Sequence, residues 1–137
     1  MKKIISIILG CVMLFSSLGI STFAADDTAA IMPRLNNVAA VDTIFSIDDG
    51  EAVVIVSYIG YPGVTTSVKI TTTLQKRTLL FFWSEVTSWS NTSYEEDDMF
   101  RLTHPVSSGT YRVKVKYEIN GTGGTTDVIE ETLEDSY

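Results

Sequence analysis

The sequence predicts an all-β fold, an antiparallel β-sandwich of about seven strands. Three observations predict it. Two long segments alternate apolar and polar residues with a period of two. Turn signals recur about every eight to twelve residues. Beyond the N-terminal region, no stretch has the spacing of an amphipathic helix.

Val38 to Ile47 is apolar with Thr and Ser interleaved, and Asp48-Asp49-Gly50-Glu51 closes it as a turn, because Asp-Gly accepts the positive φ of tight hairpins. Ala52 to Tyr58 is a β-branched run ended by Gly60-Tyr61-Pro62-Gly63. Within residues 66–75, Val68, Ile70, Thr72 and Leu74 fall on one face, with Ser67, Lys69, Thr71, Thr73 and Gln75 on the other. Trp83 to Trp89 reads as a further strand and Met99 to Leu102 as a short one. Tyr111, Val113, Val115, Tyr117 and Ile119 alternate with Arg112, Lys114, Lys116 and Glu118, the clearest strand pattern in the chain. Asn120-Gly121-Thr122-Gly123-Gly124 turns it into a last strand near Asp127 to Leu133. Gly109 closely followed by Tyr111, at the start of the penultimate strand, resembles the tyrosine corner of immunoglobulin-like domains. The expected sandwich is therefore immunoglobulin-like or fibronectin-III-like, without the cysteine pair of antibody domains.

The first residues have the layout of an export signal. Met1-Lys2-Lys3 is positive, Ile4 to Ile20 is apolar or small, and Ser21 to Ala25 is followed by Asp26-Asp27. Small residues at the first and third positions before the cut place cleavage between Ala24 and Ala25. The expected organisation is a signal peptide over 1–24, a flexible N-terminal arm over 25–37 and a sandwich over 38–137, in a secreted, extracellular protein. Cys11 follows Leu9-Gly10, as at a lipoprotein site. Apolar Val12 to Phe15 come after it, so it lies inside the hydrophobic run, and lipidation is the lesser alternative.

Cleavage removes the single cysteine and, with Lys2 and Lys3, two of the ten basic residues. The remainder carries eight basic and 17 acidic residues, a net charge of about −9. Such a chain has no disulfide or thiol chemistry, and its charge disfavours nucleic acid and anionic lipid as general partners. About 113 residues suffice for one domain held by packing alone.

Four stretches bear on family: Leu74 to Arg77 (LQKR), Trp83 to Ser90 (WSEVTSWS), Ser108 to Tyr117 (SGTYRVKVKY) and Ile31 to Arg34. Their order and spacing resemble a family of small secreted proteins of Gram-positive Firmicutes, a domain of unknown function. The resemblance implies a secreted immunoglobulin-like sandwich and carries no activity and no catalytic residues. The chain departs from that pattern at Leu79, Leu80, Phe81, Phe82 and Trp83, where a polar or glycine-rich turn is expected. The preferred reading is that the second strand starts early and these residues enter the core; the alternative is an exposed apolar tip for a partner protein or a membrane.

His104, the single histidine, precedes Pro105 in an expected loop, and no nucleophile motif accompanies it. Glu95-Glu96-Asp97-Asp98 has Ca²⁺-like chemistry, yet consecutive residues on an extended chain point in alternate directions, so a solvated acidic loop is preferred. No cofactor, catalytic or metal-binding residue is assigned. Trp83 and Trp89 share strand parity, with Glu85 and Thr87 between them. They are read as core aromatics, or, if exposed beside Tyr94, as a sugar-stacking platform. Arg112, Lys114 and Lys116 form a basic stripe expected to pair with Asp127, Glu130 and Glu131 on the following strand. Sequons at Asn91 and Asn120 matter only in a glycosylating host. The leading expectation is a non-enzymatic interaction module that meets another protein or a cell-surface polymer. A toxin-like protein using residues 79–83 and a sugar-binding module using Trp83 and Trp89 are the alternatives, and a hydrolase ranks last.

Overall fold

The computed structural model describes residues 34–137. The expected export signal, its expected Ala24–Ala25 cleavage point, Cys11 and the expected arm as far as Pro33 lie outside the described residues. Seven antiparallel strands build two sheets: β1 (Val38–Asp48), β2 (Glu51–Gly60), β3 (Thr65–Thr78), β4 (Phe82–Ser93), β5 (Asp97–Pro105), β6 (Thr110–Gly121) and β7 (Asp127–Ser136). One sheet has the order β1-β2-β5 and the other β4-β3-β6-β7. This is the β-sandwich that the alternating pattern predicts.

The period of two explains the core. Ala52, Val54, Val56 and Tyr58 of β2 face Val68, Ile70, Thr72 and Leu74 of β3 and Tyr111 to Ile119 of β6 at alternate positions, all buried. Burial of these side chains, at about 1.5–3 kcal/mol for each large aliphatic or aromatic one, is the main driving force for joining the sheets. β1 and β2 are linked by a two-residue turn, with Asp49 at φ 47° and Gly50 at φ 76°. Two successive positive φ values define the turn type that matches strand twist, as the Asp-Gly pair predicts.

The Tyr111 hydroxyl donates to the Ser107 carbonyl at 2.8 Å, tying β6 to the loop before it.

The sandwich begins earlier than the sequence suggests. Asn37 is fully buried and Leu35 packs against the core, so the arm expected to run to Asn37 is part of the domain over its last residues. The cause is Asp127, whose carboxylate accepts the backbone N–H groups of Asn36 and Asn37. Asn37 in turn donates to the Thr125 carbonyl at 2.7 Å and accepts from Gly123 N–H at 3.1 Å. At the far end of the same strand face, Asp135 accepts Ile47 N–H at 2.8 Å. Two carboxylates of β7 therefore latch β1, the edge strand of the other sheet.

Candidate functional site: the β3–β4 hairpin tip

β3 and β4 remain paired out to Thr78 opposite Phe82, which leaves a three-residue loop of Leu79, Leu80 and Phe81. The neighbouring strand β6 pairs with β3 only as far as Lys76 opposite Tyr111. The hairpin therefore stands clear of its sheet, and at about 3.3 Å per residue its tip lies on the order of 10 Å beyond the last β3–β6 pair. Nothing in the sandwich reaches that far to cover it. Leu79, Leu80, Phe81 and Phe82 are 83%, 78%, 84% and 65% exposed. The preferred expectation, that these residues enter the core, is overturned: the register places the turn at residues 79–81, beyond the edge of the core.

The loop backbone is strained as well as apolar. Leu79 adopts φ 55°, a left-handed conformation that costs a non-glycine residue roughly 1–2 kcal/mol. Glycine or asparagine would relieve it.

One residue inward, Arg77 pairs with Trp83. The Arg77 guanidinium carbon lies 5.2 Å from the centre of the Trp83 ring, and that of Arg112 lies 4.3 Å from it. Arg112 is oriented by Gln75, whose Oε1 accepts its Nε–H at 2.6 Å. Directly behind the apolar tip there is thus a collar of one indole and two guanidinium groups. Neither arginine is in an ion pair among the described residues.

Trp83 and Trp89 do not share a face. The β3–β4 register slips between Leu74 and Gln75: Leu74 pairs with Thr87, Gln75 with Glu85, and Val86 is the extra residue of a bulge. The bulge reverses the parity of β4. Trp89, opposite buried Thr72, packs on the core, and Trp83, opposite Arg77, points to the outer face. The paired platform imagined for sugar rings is not formed by these two residues.

Comparisons with known proteins add little to this geometry. No family model matches the chain, and no curated protein does. Among solved structures, the chain is similar to wild-type OgpA from Akkermansia muciniphila, with 11% identity and a TM-score of 0.44 over 74% of this chain. The match spans 30% of that protein's length.

The other candidates fall elsewhere. His104 lies in β5, half-buried, with its ring edge-on to Trp89 at a centroid distance of 6.4 Å. It is a strand residue beside the core rather than a loop residue. The acidic run is divided among separate tasks: Glu96 accepts Gly63 N–H at 3.0 Å, Asp98 accepts the Ser93 hydroxyl at 2.7 Å, and Glu95 is exposed. No cluster of three or more metal-ligating side chains occurs among the described residues. Asn120 is exposed and bonded to Ser67 and Thr126, whereas Asn91 is half-buried.

The basic stripe pairs differently from the expectation. Arg112 lies opposite Glu134, Lys114 opposite Thr132 and Lys116 opposite Glu130, so only Glu130 of the three expected acids faces the stripe. Asp127 and Glu131 point to the inner side of β7. Lys116 forms its ion pair within its own strand, with Glu118 at 3.3 Å. A shallow depression of about 360 Å³ runs over this outer face, lined by Thr71, Thr73, Gln75, Glu85, Lys114 and Lys116 among others. Its floor is flat sheet, and no aromatic side chain lines it.

Sequence reasoning missed Arg77 and Arg112 as partners of Trp83. A signal existed for the first: a turn centred on Leu80 pairs residue 77 with residue 83. The approach of Arg112 depends on the β3–β6 register and has no local signature.

Proposed function

We propose that this chain is a non-enzymatic binding module, an exported immunoglobulin-like sandwich whose contact element is the β3–β4 hairpin tip. The observation that carries the reading is the exposure of four consecutive large apolar side chains on a hairpin that outreaches its own sheet. Soluble proteins rarely present such a patch without a partner for it. The strand order and the Tyr111–Ser107 hydrogen bond support the immunoglobulin-like assignment, in which loops at the ends of the sheets are free to bind. The resemblance of the sequence to small secreted proteins is in keeping with an extracellular role.

The test is binding of purified protein to a panel of intact cells and isolated cell-wall material, wild type against a Leu80→Ser, Phe81→Ser double variant. Both residues are exposed, so the variant keeps its core. Binding by wild type and loss in the variant is the expected result. Equal binding by both proteins removes the tip as the contact element, and a hydrolytic activity of the purified domain removes the non-enzymatic reading.

A further inference from the structure

We infer that the hairpin tip enters the interfacial zone of a lipid bilayer bearing anionic headgroups, an inference that rests on the tip being the contact element. Shape is the first argument. Leu79, Leu80, Phe81 and Phe82 follow one another around a hairpin turn and are each 65–84% exposed, so the sandwich covers none of them. A protein partner would need a deep socket closed on every side. A bilayer supplies apolar surroundings in all directions without shape complementarity.

Depth and charge agree with this. The apolar segment reaches on the order of 10 Å past the β3–β6 ladder, similar to the 5–10 Å that interfacial elements bury. Immediately behind it sit Arg77, Trp83 and Arg112. Tryptophan favours the headgroup level, and guanidinium groups bind lipid phosphates in a fork. Both arginines lack a carboxylate partner within ion-pair distance among the described residues, so their charge is available at that level.

The net charge of the whole chain is negative, and it decides orientation. On the other sheet, the acidic turn of Asp48, Asp49 and Glu51 sits at the same end of the sandwich. It lies level with the Val106–Ser107 loop that Lys76 reaches, well behind the tip. Repulsion there stops deeper insertion, so the hairpin alone makes contact. A leucine at φ 55°, where glycine would be unstrained, fits a side chain used outside the fold.

The experiment uses residues 25–137, the product of the expected cleavage, which contains both sheets and their core. Probes are phosphatidylcholine vesicles with and without phosphatidylglycerol, read by co-sedimentation and tryptophan emission. Wild type is expected to bind the anionic vesicles, with an emission blue shift that Trp83→Phe removes. Binding is expected to fall as salt is raised. Leu80→Ser with Phe81→Ser should weaken binding about a hundredfold, and Arg77→Gln and Arg112→Gln about fivefold each. Circular dichroism confirms folding of each variant. Absence of vesicle binding, or binding that the double variant retains, overturns the inference. If vesicles fail while the double variant still loses cell binding, the occupant is a protein socket and the contact-element reading survives. Tip-dependent dimers in sedimentation without vesicle binding make the occupant a second copy, and this also overturns it.

Discussion

The Asp127 carboxylate accepts the backbone N–H of Asn37 at 2.6 Å, across 90 residues of chain. The same group accepts Asn36 N–H at 2.9 and 3.0 Å. A buried β7 carboxylate thereby closes the sandwich along the β1–β7 side. Asp127→Ala would leave two N–H groups at the start of β1 without an acceptor, and hydrogen bonds to a charged group are the costly ones to lose. The expected loss is about 3 kcal/mol, read as a lower urea midpoint with little change in slope. Asp127→Asn, which keeps one acceptor oxygen, should lose less.

Tyr117 predicts a stability change in alkali. Burial raises its pKa to about 12 from the ordinary 10.0, and nearby Glu131 and Asp42 also raise it. Its hydroxyl donates to the Asp42 carbonyl at 2.8 Å and meets the Thr43 hydroxyl at 2.7 Å, and the Thr43 bond works against the rise. Below pH 10 the phenol is neutral in both folded and unfolded chains, and its contribution to stability is complete. Between about 10 and 12 the unfolded chain ionises first, so stability falls as pH rises and the contribution is lost above the folded value. Urea midpoints measured across this range should fall more steeply in wild type than in Tyr117→Phe. Absorbance near the phenolate band should show Tyr117 titrating late, with Tyr58, whose pKa burial also raises, above the ordinary range.

The bulge at Val86 predicts unequal tryptophans. Trp89→Ala opens the core and should cost about 3 kcal/mol. Trp83→Ala removes two cation–π contacts at the surface and should cost about 1 kcal/mol. Equal costs would contradict the assignment of the two side chains to opposite faces. Iodide should quench Trp83 more than Trp89 in the corresponding single-tryptophan variants.

The positive φ of Leu79 predicts a stabilising truncation. Leu79→Gly relieves roughly 1–2 kcal/mol of left-handed strain and adds roughly 0.4–1 kcal/mol of unfolded-state entropy. The net expectation is a gain of about 0.5 kcal/mol in urea unfolding. Leu80→Gly, at a residue without that conformation, should give no such gain. A loss at Leu79 would mean that its side chain packs on the hairpin in solution.

The alternating pattern of β3 and β6 was readable because each strand has one buried and one solvated face, and a period of two leaves no ambiguity there. β5 was harder: its expected extent of Met99 to Leu102 grew to Asp97–Pro105 because pairing with β2 supplies hydrogen bonds that its own side chains do not announce. The parity of β4 escapes a local reading for a related reason. A bulge is an insertion into a ladder, visible only when both strands are aligned, and the residues of WSEVTSWS do not mark which one is extra. The tip residues themselves were identified from sequence, but their burial was not, because exposure depends on how far the neighbouring strand extends.

Local sequence was enough for the alternating strands of a β-sandwich and for the Asp49–Gly50 turn, which depend on residues close together in the chain. Tertiary structure alone decided three things. It brought Arg112 to Trp83, carried Asp127 to Asn37, and left Leu79 to Phe82 in solvent. Each depends on which strands lie side by side and in what register, a property set by the packing of two whole sheets and by no local run of residues.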